Sequence, residues 1–94
     1  MKILEKFSLS GKSAIITGGT RGLGKEIAKC FSEAGAEVSI MGRDEKKGEE
    51  TKNEIYNQTG KKVIYIKGDV RRYEDVEKFV DTSLKEFGKI DILV

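Results

Sequence analysis

The chain has 94 residues, 37% of them hydrophobic and 36% charged, with 18 basic against 16 acidic residues for a net charge of +2. That length holds one domain, the composition excludes a disordered chain, and a small, interspersed charge argues against a nucleic-acid partner. One cysteine and no histidine exclude a disulfide framework and an ordinary zinc site, and no stretch approaches the roughly 18 continuous apolar residues of a membrane span.

The opening MKILEKFSLSGK interrupts its apolar residues with Glu5 and Lys6, so it does not read as a secretory signal; a reducing, cytoplasmic setting is expected. SAIIT at 13–17 is short, apolar and β-branched and is followed by glycines, which predicts a buried strand. From Gly22 the period changes: Leu23, Ile27, Cys30, Phe31 and Ala34 fall three and four apart, predicting a helix with that face on the core, and Cys30 as a small buried apolar residue. Lys25 and Glu26 read as a solvated first turn. Gly35 supplies the stop. EVSIM at 37–41 is a second strand. Residues 44–59 are mostly polar, with a thin stripe through Gly48, Thr51 and Ile55; they predict a helix starting near Asp44 and ending at Gly60, in which Gly48 costs about 1 kcal/mol relative to alanine. KVIYIK at 62–67 is a third strand. Residues 73–87 predict the clearest helix, with Val76, Phe79, Val80, Ser83, Leu84 and Phe87 on one face and Gly88 as its stop. IDILV at 90–94 begins a fourth strand.

Strands alternating with crossover helices pair in parallel with right-handed connections. The order therefore predicts an α/β fold, half of a doubly wound Rossmann sheet with strand order 3-2-1-4.

The turn after the first strand, TGGTRGLGKE at 17–26, almost satisfies two phosphate-binding patterns. Counted from Gly19 it is the start of a triphosphate loop, G-x-x-x-x-G-K. Such a loop needs Ser or Thr after the lysine to hold magnesium, and Glu26 stands there, where a carboxylate would repel phosphate. Counted from Gly18 it is G-x-x-x-G-x-G, a dinucleotide loop. Gly18 then permits the tight exit from the strand, Gly22 lets the backbone approach a pyrophosphate, and Gly24 lets the helix pack close to the sheet.

This turn with its preceding strand, LSGKSAIITGGTRGLGKEIA, together with GDV at 68–70 and IDILV at 90–94, resembles the short-chain dehydrogenase/reductase family along the whole chain, in particular members of the 3-oxoacyl-carrier-protein reductase and glucose dehydrogenase type. The resemblance implies a structural role for Thr17, phosphate contacts from the Thr20 hydroxyl and the Leu23 amide, an adenine contact from Asp69, and packing of Val70 near the ring. The acidic residue that accepts ribose hydroxyls in an NAD enzyme belongs at the end of the second strand. Gly42 stands there, followed by Arg43, and Arg21 lies in the loop. Two guanidinium groups suit a 2′-phosphate by charge and bidentate geometry, so the expected cofactor is NADP(H) rather than NAD(H). Asp44 is expected at the helix start rather than over the ribose. Arg71 and Arg72 read as solvated loop residues.

The family's catalytic Asn, Ser, Tyr and Lys follow the fourth strand. The tyrosines here, Tyr56, Tyr65 and Tyr73, are followed four residues on by Gly60, Asp69 and Glu77, never by lysine. No catalytic residue is assigned. The expectation is an inactive N-terminal fragment, residues 1–94 of a dinucleotide-binding domain cut within the fourth strand; the alternative is a self-standing half-Rossmann module that binds a nucleotide or a partner. An unpaired apolar edge at strand 90–94 would recruit other strands, so self-association is expected.

Overall fold

A computed structural model describes residues 8–20 and 22–94; the N-terminal reading of residues 1–7 and the phosphate role expected of Arg21 lie outside the described residues. In chain order the elements are β1 (Ser13–Thr17), α1 (Gly22–Glu33), β2 (Glu37–Gly42), α2 (Glu45–Thr59), β3 (Val63–Lys67), α3 (Tyr73–Phe87) and β4 (Ile92–Leu93). The strands form one parallel sheet in the order β3-β2-β1-β4, the predicted half of a doubly wound fold. In its register Ile16 stands beside Ile40, Ile40 beside Tyr65, and Ala14 beside Ile92.

Successive strand residues point to opposite faces, and both faces are covered. Ile16, Val38, Ile40 and Val63 pack with Ala28 of α1 and Ile55 of α2. Ile15, Met41 and Ile66 pack on the other face with Phe79 of α3. Continuous burial of β1 explains why it reads as an apolar run rather than an alternating one. The stripe expected on α2 is the one buried: Gly48, Thr51 and Ile55. On α3, Phe79 and Ser83 are buried, and Leu84 is 41% exposed.

The face expected of α1 is rotated. Its buried residues are Ala28 and Ser32, with Ile27 and Phe31 only partly covered; Leu23 is 77% exposed and Cys30 is exposed. The cause is steric. Gly24, Ala28 and Ser32 recur every four residues, and small side chains on that row let the helix lie close to the sheet, which leaves Leu23 and Cys30 on its flank. Lys25 is not merely solvated either: it reaches across to Glu54 of α2 at 3.1 Å, and Lys29 joins the same carboxylate. The paired lysines lower the Glu54 pKa and Glu54 raises that of Lys29.

β4 is shorter than the expected 90–94. Its lead-in is used as an anchor instead: Asp91 accepts the Ser13 N–H at 2.9 Å, and the Ser13 hydroxyl donates to the Lys89 carbonyl. No helix among the described residues is long and apolar enough to cross a membrane.

Candidate functional site

In a parallel α/β sheet, ligands bind at the carboxyl ends of the strands, where the connections diverge. An open cleft of about 640 Å³ lies there, between the ends of β1, β2 and β3. Gly18 and Thr20 line it from the turn after β1, Gly42 and Arg43 from the end of β2, and Asp69 and Val70 from the end of β3.

The turn is built by its glycines. Gly18 leaves β1 with φ +68° and Gly22 opens α1 with φ +62°, both in the left-handed region that side chains disfavour. Gly24 acts by closeness: a Cβ there would stand 2.2 Å from the Gly18 carbonyl oxygen. The first turn of α1 is thereby folded onto the loop, with its N-terminal amides at the strand ends. Thr20 is 7% exposed, and its carbonyl accepts the hydroxyl of buried Thr51 of α2 at 2.9 Å.

At the end of β2, a Cβ on Gly42 would lie 2.7 Å from both Cγ2 and Oγ1 of Thr20. An added side chain there would require Thr20 to shift. Arg43 follows and is exposed. Asp44 stands at the start of α2, where its carboxylate accepts the Lys47 N–H at 3.1 Å, as expected of a helix cap.

At the end of β3, Asp69 holds Arg71. The Arg71 Nη2 lies 2.8 Å from Asp69 Oδ2, and its Nε and backbone N–H donate to Oδ1 at 3.1 and 2.9 Å. These hydrogen bonds, the Arg71 side chain first, hold the Asp69 carboxyl well below the usual carboxylate range. The Asp69 N–H in turn donates to Asp75 Oδ2 at 2.9 Å.

The structure therefore brings Gly18, Thr20, Arg43, Asp69 and Val70 to one cleft. Gly22, Leu23 and Gly24 form the start of α1 beside it. Six lining residues stand outside the predicted set: Met41, Gly42, Asp44, Lys47, Gly68 and Arg71; Asp44 lines the cleft although it was expected only at the helix start. Lys47 carried a signal, three residues after an expected helix cap and so at the same helix start. Arg71 was passed over as a solvated residue; its side chain is 73% exposed, yet it is engaged with Asp69.

Residues 12–94 match the family model of the short chain dehydrogenases. The chain is 42% identical over 90 residues to the short chain dehydrogenase/reductase astE of Aspergillus oryzae, covering 96% of this chain and 34% of that protein. It is 42% identical over 86 residues to the 3-oxoacyl-[acyl-carrier-protein] reductase FabG of Chlamydia muridarum, covering 92% of this chain and 35% of the relative. The crystal structure of L-sorbose reductase from Gluconobacter frateurii, complexed with NADPH and L-sorbose, superimposes with a TM-score of 0.87 at 32% identity, over 92% of this chain and 33% of that one. The chain thus spans about a third of the length of the relatives it matches. With a family model matched over most of its length and a shared sheet order, the chain belongs to the short chain dehydrogenase family.

Proposed function

We propose that the chain is the NADP(H)-binding N-terminal half of the dinucleotide-binding domain of a cytoplasmic oxidoreductase, which moves hydride between NADP(H) and a carbonyl or alcohol substrate. The observation that carries the reading is the end of β2. The position from which a carboxylate would accept the ribose hydroxyls is Gly42, which carries no side chain and has Thr20 packed against it. The neighbouring Asp44 is committed to capping α2. Arg43 and Lys47 line the same wall as cations, against the one carboxylate of Asp44, and two cations there suit a ribose carrying a 2′-phosphate.

The residues present fit the group. Gly24 brings the helix start against the loop at a distance that no side chain permits, the close helix packing of a dinucleotide loop, and the amides of that helix start are where a pyrophosphate binds. In this assignment Gly18, Thr20, Gly22, Leu23 and Gly24 hold the pyrophosphate, with Arg21 added from the sequence alone. Arg43 meets the 2′-phosphate, Asp69 the adenine amino group, and Val70 the ring; Val70 is 59% exposed, an apolar side chain awaiting cover. The bound cofactor would supply the hydride chemistry.

The test is calorimetric. Adenosine 2′,5′-bisphosphate should bind this chain better than AMP, and Arg43→Ala should erase the difference. A well-formed charge-assisted contact is worth about 1.5–3 kcal/mol, less at an exposed site. Equal affinities in the unaltered chain would refute the 2′-phosphate reading.

Self-association is proposed on a separate observation. β4 is an outer strand of the sheet and pairs only with β1 among the described residues, and Leu93 and Val94 are 71% and 43% exposed. An exposed apolar edge recruits other strands. Light scattering at micromolar concentration should show a species larger than the monomer, and Leu93→Lys should reduce it. A monomer indifferent to that substitution would show that the edge is tolerated.

A further inference from the structure

Two residues are left unused by this site. Gly48 is an unfavourable residue in the interior of α2, and Tyr65 lies on β3 away from any lysine partner. In the fold they meet. A Cβ on Gly48 would lie 2.2 Å from both Cε1 and Cζ of Tyr65, so the ring rests on the α2 backbone in a notch that only glycine leaves open.

From that seat the Tyr65 hydroxyl donates to the Gly42 carbonyl at 2.8 Å. The same oxygen accepts the Gly68 N–H at 3.0 Å. Two donors occupy the two lone pairs of one carbonyl. A peptide unit is planar, so holding this oxygen holds the plane of the Gly42–Arg43 peptide and the direction in which Arg43 leaves β2. Burial, and then the carboxylates of Glu45, Asp44 and Glu49, raise the Tyr65 pKa, so the phenol stays protonated and its hydroxyl stays a donor.

We propose that Tyr65, seated on Gly48, is a positioning residue for the 2′-phosphate: it sets the peptide from which Arg43 reaches that group, an inference that rests on the NADP(H) reading above. The unexplained glycine in α2 is then the seat of the device, and its helix cost is the condition for the ring to reach Gly42.

Tyr65→Phe removes the donor and keeps the ring. In titrations of this chain it should lower the preference for adenosine 2′,5′-bisphosphate over AMP on the order of five-fold, the worth of one ordinary hydrogen bond, while leaving the affinity for AMP unchanged. The Arg43 amide nitrogen, which senses hydrogen bonding at the carbonyl before it, should shift. Gly48→Ala drives the ring from its seat and should reproduce the loss of preference. A merely structural role would lower the melting temperature and weaken both ligands equally, which would overturn the inference. So would an unaltered preference in Tyr65→Phe when the unaltered chain shows one. Equal binding of both ligands by the unaltered chain would instead overturn the NADP(H) reading beneath it.

Discussion

At the β2 corner of the cleft, two largely covered hydroxyls donate to backbone carbonyls, Tyr65 to Gly42 at 2.8 Å and Thr51 to Thr20 at 2.9 Å. At the β3 corner the cleft-facing side chain, Asp69, is held by Arg71, whose side chain is 73% exposed. Neutral hydrogen bonds sheltered from water are costly to break, because the orphaned carbonyl keeps its desolvation penalty. An exposed ion pair is weak and screened by salt. The backbone of the β3 corner is itself secured, since Asp75 accepts the Asp69 N–H; only the Asp69 carboxylate is free to exchange its partner. On the NADP(H) reading proposed above, the comparison sets a firmly held ribose end against an adjustable adenine end. On that reading a ligand amine would take over from Arg71 at little cost, whereas an added side chain at Gly42 would have to displace Thr20.

The larger effect expected from this contrast is at Thr51, which is 2% exposed. Thr51→Val keeps the shape and removes the donor, leaving the Thr20 carbonyl buried and unpaired. It should destabilise the chain by about 1–3 kcal/mol, read as a lower midpoint in denaturant, with no dependence on salt. Thr51→Ser keeps the hydroxyl and should retain more of the stability than valine does. A valine variant as stable as the unaltered chain would show that the β2 corner is no more rigid than the other.

Much of this arrangement was legible in the sequence, and the failures share a cause. Strand order followed from the alternation of strands and helices in a doubly wound fold, and the three-residue stripe of α2 from periodicity, because Thr51 and Ile55 sit on an otherwise polar helix. The face of α1 was misjudged because hydropathy favours Leu23 and Cys30, whereas close packing on the sheet favours Gly24, Ala28 and Ser32. Gly18 and Arg43 were read from the residues, while Thr20, Asp69 and Val70 came from the family resemblance; all five meet because each stands just after a strand, and parallel strands end together. Arg71 was not, because its pairing depends on how the turn after β3 folds back on Asp69. The Gly48–Tyr65 contact was not either: it joins a helix to a strand, and the glycine alone reads only as a defect.

The smallest expected effect is at Arg71, and it sharpens the contrast most through pH. Arg71 holds the folded-state pKa of Asp69 below its ordinary value of 3.8. A depressed carboxylate contributes stability in full above that ordinary value and loses it as pH falls toward the folded one. At neutral pH the contribution is complete but small, because the pair is exposed and screened. Arg71→Ala should therefore change the neutral-pH melting temperature far less than Thr51→Val does, and added salt should shrink the difference further. In a carboxyl-carbon NMR titration, Asp69 of the variant should return toward ordinary behaviour, protonating at higher pH than in the unaltered chain. Below that range the two proteins should converge in stability, since protonated Asp69 gains nothing from the guanidinium. A large neutral-pH loss that salt leaves untouched would mean that the β3 corner is as firmly preset as the β2 corner, and the division between them would fall.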